Sequence, residues 1–258
     1  MSFLGRAMAS IGIGSAKVDT YISNTRLRPE ENLIGQVKIV GGNIAQQIAK
    51  IYLYLMTHYF RESNDTKIKE NIILAQFELT DSFLLNPKEK REIPFSFIIP
   101  KDTPVTIGNC SVWVHTGLDI KMGIDPTDYD KLHILPHRYT EVILEALNNL
   151  GFILVQCENE YSRLPGKRLP FVQEFEFKPG ELFKGQLAEL EVVFLPNQYG
   201  IELILEIDRS ARSLKGLLLE SLDLNERLIR IKIPDSELEK GSNFMADYLS
   251  KTISRYLY

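Results

Sequence analysis

The chain repeats part of itself at a fixed offset of 150 residues. Pro29, Glu31, Gly35, Gln36 and Val37 return as Pro179, Glu181, Gly185, Gln186 and Leu187. Without a gap, the strand-like run Ile51, Tyr52, Leu53, Tyr54 and Leu55 returns as Ile201, Glu202, Leu203, Ile204 and Leu205. Turn and strand punctuation matched across residues 29–55 predicts two similarly built β domains in tandem. At 258 residues the chain is long enough for two cores. Duplicated β modules without reactive motifs are binding scaffolds more often than enzymes, so function is to be sought on surfaces.

Local patterning agrees with a mainly β chain. Val18, Thr20 and Ile22 alternate with polar neighbours, and residues 33–40 form a second strand after the turn at Arg28 and Pro29. A long aromatic and aliphatic strand covers 49–60, a polar hairpin loop 61–71, and another strand 72–80. Period two puts Phe95, Phe97 and Ile99 on one face of a proline-bracketed strand. Residues 110–120 end the first half, and an acidic loop follows them. The second half reads as strands near 152–160, 171–177, 182–194, 201–208, 214–219 and 227–233. Helical spacing occurs in three places. Residues 2–11 form a short amphipathic segment ahead of the first strand. Val142, Ile143, Ala146, Leu147 and Leu150 form a stripe that Gly151 terminates. A closing helix begins at Ser242. The expected domains are 1–136, an N-terminal β-sandwich with its short helix; 137–151, a connecting helix; and 152–258, a C-terminal β-sandwich with a C-terminal helix.

Composition narrows the function classes. Net charge is −4, from 30 basic and 34 acidic residues, and no cluster of Lys or Arg could track phosphates, so no nucleic-acid partner is expected. Cys110 and Cys157 have no metal spacing and read as buried thiols of a reducing compartment, with a single disulfide between the two halves as the alternative. No apolar run approaches the roughly 20 residues a bilayer span needs, so no stable membrane insertion is expected. The first residues do not resemble a signal peptide, and a cytoplasmic location is expected.

The chemical constellations are few. His133 and His137 have the i, i+4 spacing of a helical metal pair, but Pro136 lies between them and disfavours helix. Asp125, Asp128 and Asp130, with Asp119, are the candidate cation ligands, since hard cations take carboxylate oxygens. They lack a calcium loop's core, and turn chemistry is the alternative reading. Glu174 and Glu176 share one strand face opposite Phe171, Phe175 and Phe177, which reads as a solvent face. No nucleophile elbow or phosphate loop occurs. The expectation is therefore no catalytic residue, no cofactor and no metal. Phe244, Tyr248 and Tyr256 on the closing helix are the candidate partner contacts, being aromatic residues of the kind enriched at interfaces.

Residues 29–37, 94–100 and 116–120 resemble the punctuation of arrestin-type domains. More closely, Gly12 to Thr20, Gly117 to Asp125 and Leu169 to Phe177 resemble the sporulation-control protein M family, over essentially the whole chain. That resemblance implies two tandem arrestin-like antiparallel β-sandwiches and a cytoplasmic regulator acting through other cytoplasmic proteins, without catalysis. It supplies no catalytic residues. Self-association as a homodimer is one route open to exposed strand edges. The alternative function is a small-ligand or carbohydrate-binding β module with aromatic platforms, for which Trp113 is the first residue to inspect.

Overall fold

The computed structural model describes residues 15–63, 66–120, 125–162, 168–208 and 228–257. The amphipathic segment at 2–11 and the strand expected at 214–219 lie outside them. The chain is mainly β and divides into two compact units. The first comprises residues up to Thr57, Asn71–Thr103 and Ser111–Leu135; the second comprises His58–Glu70, Pro104–Cys110 and the chain from Pro136 on.

In the first unit, β1 (Lys17–Ile22) and β7 (Lys90–Ile98) flank β3 (Asn32–Val40) in an antiparallel three-stranded sheet. Period-two alternation buries Leu33, Val37 and Ile39 of β3 and Phe95 and Phe97 of β7, as the pattern predicts; Ile99 just beyond β7 is buried too. The facing sheet contains β4 (Gln46–Ser63), β8 (Val112–Ile120), β9 (Thr127–Ile134) and the two-residue β2 (Arg26–Leu27). β5 (Thr66–Thr80) and β6 (Phe83–Leu85) also pair with β4. Ile51, Leu53 and Leu55 of β4 meet Val112, Val114 and Leu118 of β8 on its buried face. Each such side chain contributes about 1.5–3 kcal/mol by leaving water.

Two expectations about these strands need correction. Most of the stretch 61–71 is not a loop, because β4 runs to Ser63 and β5 starts at Thr66. Its polar residues are the exposed arms of a hairpin, where backbone pairing needs no apolar side chain. The acidic loop also ends earlier than expected, for Asp128 and Asp130 lie on β9.

In the second unit, the tip of β4 lies beside β10 (Ile153–Tyr161), with Phe60 opposite Glu160. Antiparallel pairing continues through β11 (Phe171–Lys178), β12 (Glu189–Asn197), β13 (Gly200–Asp208) and β14 (Leu228–Pro234). Among the described residues these strands form one sheet whose apolar face is covered by helices. Helix α1 (Arg138–Asn149) buries Tyr139, Ile143, Ala146 and Leu147 against this core. Its apolar stripe belongs to the second unit. The short α2 (Asp235–Leu238) leads into α3 (Ser242–Leu257), which buries Met245, Leu249 and Ile253 in the same cluster. Residues 182–188 were expected to open a strand. Instead Glu181–Phe183 form one 3-10 turn and β12 begins at Glu189.

The repeat therefore holds at the strands Ile51–Leu55 and Ile201–Leu205 but not at its glycines. Gly35 sits inside β3, where an added Cβ would meet the Tyr21 carbonyl oxygen at 2.3 Å and the Phe95 ring at 2.6 Å. Gly185 has φ +76° in a turn, and an added Cβ there would meet nothing within 4 Å. One glycine allows close packing and the other a left-handed backbone.

Candidate functional site

In the first unit, the face of β4, β8 and β9 that points away from the three-stranded sheet concentrates aromatic side chains. The alternation that buries Ile51, Leu53 and Leu55 sends Tyr52, Tyr54 and Met56 to this other side. Register then sets Tyr54 opposite His115 and His115 opposite Tyr129. In the next row Met56 lies opposite Trp113, and Trp113 opposite Lys131. The His115 and Tyr129 rings stack at 4.5 Å and 6°, and Tyr54 lies 5.8 Å from His115. Tyr129 is 62% exposed, so this stack presents a ring to solvent. Gly117 beside it has nothing within 4 Å of a built Cβ, which leaves the platform open at that row. Burial lowers the His115 pKa and keeps the imidazole neutral. Its Nε2 is buried without a hydrogen-bond partner among the described residues.

Trp113 is half-buried on this face, one row from the His115–Tyr129 stack. It was the only residue of the platform singled out from the sequence. Tyr54, His115 and Tyr129 were missed: Tyr52 and Tyr54 alternate visibly along β4, but their meeting with β8 and β9 depends on nonlocal register.

The aspartates hold strands together. The Thr20 backbone N–H donates to Asp128 Oδ2 at 2.7 Å, and the Ile120 N–H donates to Asp125 Oδ1 at 2.8 Å. Burial, then Asp128 and Asp19 nearby, push Asp130 up to about 6. Asp119 pairs across from Lys50. The first unit thus uses two of these acids to brace β1 and the end of β8. The histidine pair separates as Pro136 predicts, with His133 on β9 and His137 capping α1 through a 3.3 Å hydrogen bond from the Tyr139 N–H. Among the described residues, no three His, Cys, Asp or Glu side chains are grouped to hold a metal ion.

Glu174 and Glu176 do not lie on a plain solvent face, contrary to the reading of their alternation. On the side of the second sheet opposite the helices, Gln156, Glu176, Glu191 and Glu206 stand in one cross-strand row. Glu158 and Glu174 form the next row beside Val193 and Ile204. Burial, reinforced by neighbouring carboxylates, pushes Glu174 up to about 8 and Glu191 up to about 9. Lys178 reaches Glu176 of the first row at 3.7 Å. Lys178 binds Glu189, and Lys67 binds Glu158 and Glu160. Burial works against the Lys67 charge, but these two carboxylates outweigh it and raise its pKa.

The comparisons with known proteins decide the family. A family model described as SpoOM protein matches residues 4–211. The sporulation-control protein Spo0M of Bacillus subtilis is 40% identical over 257 residues, covering 99% of both chains. The chain belongs to the Spo0M family. The crystal structure of Spo0M from Bacillus subtilis superposes with a TM-score of 0.89, over 95% of this chain and all of that one. The Spo0M family model spans both sheet faces and stops before α3. On α3, Tyr256 is 48% exposed, whereas Phe244 has the Lys240 ammonium 4.4 Å from its ring and Tyr248 packs partly on the core. Of the three candidate contacts, Tyr256 is the most exposed. No helix of the described residues is long and apolar enough to cross a membrane.

Proposed function

We propose that this Spo0M-family protein is a non-enzymatic cytoplasmic regulator of the sporulation-control type, and that it binds a protein partner through the aromatic face of the first unit. The observation that carries this reading is the cross-strand row Tyr54–His115–Tyr129, with Trp113 and Met56 in the row beside it. Aromatic side chains and methionine are enriched at protein interfaces, the rigid aromatic rings burying much area for little lost rotamer freedom. A neutral His115 beneath Tyr129 adds no fixed charge of its own to desolvate. The regulatory role is supported by the 40% identity to a sporulation-control protein along nearly the whole chain.

The test is site-specific photocrosslinking in the native cell, with a photoreactive phenylalanine at position 129 and, separately, at 202 in the second unit. The same crosslinked protein should recur from position 129 and be absent from 202. Crosslinks confined to 202, or to the α3 position 256, would move the partner surface elsewhere.

The exposed Tyr129 ring also favours a second reading, a carbohydrate-binding module, because sugar faces stack on such rings. Titration with soluble oligosaccharides, followed by Trp113 fluorescence, separates the two. Saturable binding that is lost on Tyr129→Ala would favour the sugar, and a flat titration favours the protein partner.

A further inference from the structure

Neither the regulatory role nor the aromatic face makes use of Cys110 and Cys157. Both are buried and free in the second unit, with their sulfurs 3.9 Å apart although they are 47 residues apart in sequence. Cys157 is on β10, whose register places it opposite Phe175. Cys110 ends a tight turn, its N–H donating to the Ile107 carbonyl at 3.0 Å. That turn lies directly on β10: a Cβ built on Gly108 would meet the Cys157 carbonyl oxygen at 3.0 Å and the Cys157 Cβ at 3.5 Å. Gln173 fastens the same segment by accepting from the Val105 N–H at 2.8 Å and donating to its carbonyl at 2.7 Å. The Cys110 thiol has two further acceptors at 3.5 Å, the Cys157 carbonyl and Asn159 Oδ1. Asn159 is itself fixed by donating to the His58 carbonyl at 2.8 Å. The two sulfurs are therefore held in contact on backbone that is pinned from both sides. A disulfide would bring them from 3.9 Å to roughly 2.05 Å.

We propose that Cys110 and Cys157 are a paired-thiol oxidation site, which hydrogen peroxide converts to an intramolecular disulfide. The Cys110 thiolate attacks one peroxide oxygen and the O–O bond breaks. Hydroxide departs and takes a proton to become water, leaving Cys110 as sulfenic acid. The Cys157 sulfur then attacks the Cys110 sulfur, the S–O bond breaks, and a second water leaves with the Cys157 proton. Two thiols lose two electrons in all, and one peroxide is reduced to two waters. Cys110 is the attacking sulfur because the Cys157 thiol, hydrogen-bonded to it, favours its thiolate against burial, while the same pairing and burial push Cys157 up. The product ties the 104–110 segment to β10 and closes a covalent loop around residues 111–156.

The test is mild hydrogen peroxide treatment of the full chain, followed by intact-mass and peptide mapping without reductant. The expected result is a mass loss of about 2 Da, one Cys110–Cys157 cross-linked peptide, reversal by dithiothreitol, and a midpoint of thermal unfolding raised by roughly 5–10 °C. Chains that gain oxygen at either cysteine, that link to one another, or that keep both thiols would overturn the proposal. Replacement of each cysteine in turn adds a second readout. In Cys157→Ser, dimedone should trap a sulfenic acid at Cys110, whereas Cys110→Ser should leave Cys157 unlabelled; the reverse labelling would overturn the assigned order.

Discussion

The two units turn opposite chemistry outward from sheets with similar apolar faces. In the first, the strand positions that point away from the core carry Tyr52, Tyr54, Trp113, His115 and Tyr129. In the second, equivalent alternation carries Glu158, Glu174, Glu176, Glu191 and Glu206. Period two alone decides which residues face the core, and it leaves the opposite face free to diverge. Aromatic rings there cost little to leave exposed and gain when covered. Carboxylates directly opposite one another repel, and burial makes their ionisation dearer still. The first face is suited to a partner, and the second holds protons that most surface glutamates would release.

Four substitutions would break or sharpen this comparison. The largest effect is expected at Gly35→Ala, which should destabilise the chain by about 3 kcal/mol in urea unfolding, because its Cβ would overlap the Tyr21 carbonyl and the Phe95 ring. Next comes Glu191→Gln, which should stabilise the chain by about 2 kcal/mol near pH 8 by removing a carboxylate that the fold disfavours when charged. The sign depends on pH. An acid held up to about 9 keeps its proton longer in the folded chain than its ordinary 4.5 allows. Stability from Glu191 is therefore full below 4.5 and drains away as pH climbs towards 9. The gain from Glu191→Gln should shrink steadily from alkaline to acid pH, and a gain independent of pH would refute the account of this face. Third, Gly185→Ala should cost only about 1 kcal/mol, for its left-handed backbone and no clash. Equal costs at Gly35 and Gly185 would mean that the repeat holds at its glycines after all. The smallest stability effect is expected at Tyr129→Ala, within about 0.5 kcal/mol, because the ring is mostly in solvent.

Much of the architecture was legible because it is local. Alternation found the buried faces of β3, β4 and β7, and the stripe from Val142 to Leu150 found α1, with Gly151 at its end in the left-handed region. Two things were not legible. The hairpin arms at 61–71 are polar on both sides, so no apolar pattern marks them as strand, although Lys67 and Glu70 are held there by Glu158 and Tyr59. The aromatic face and the glutamate row are products of register between strands far apart in sequence. Sequence showed Glu174 and Glu176 on one strand face; only pairing brought Glu191 and Glu206 beside Glu176. The 150-residue echo holds for the strands at Ile51–Leu55 and Ile201–Leu205 and fails at its glycines, since a matched Gly can serve a strand in one copy and a turn in the other.

The most direct measurement is the affinity of the protein crosslinked at position 129 for the purified full chain, compared with Tyr54→Ala, His115→Ala and Tyr129→Ala variants. Removing a central aromatic anchor from an interface costs about 2 kcal/mol or more, a loss of at least about thirtyfold. The account predicts that loss for Tyr129→Ala while its unfolding midpoint in urea stays unchanged, and no loss for Glu191→Gln. Wild-type affinity in all three aromatic variants, with Glu191→Gln or Tyr256→Ala abolishing binding instead, would contradict it.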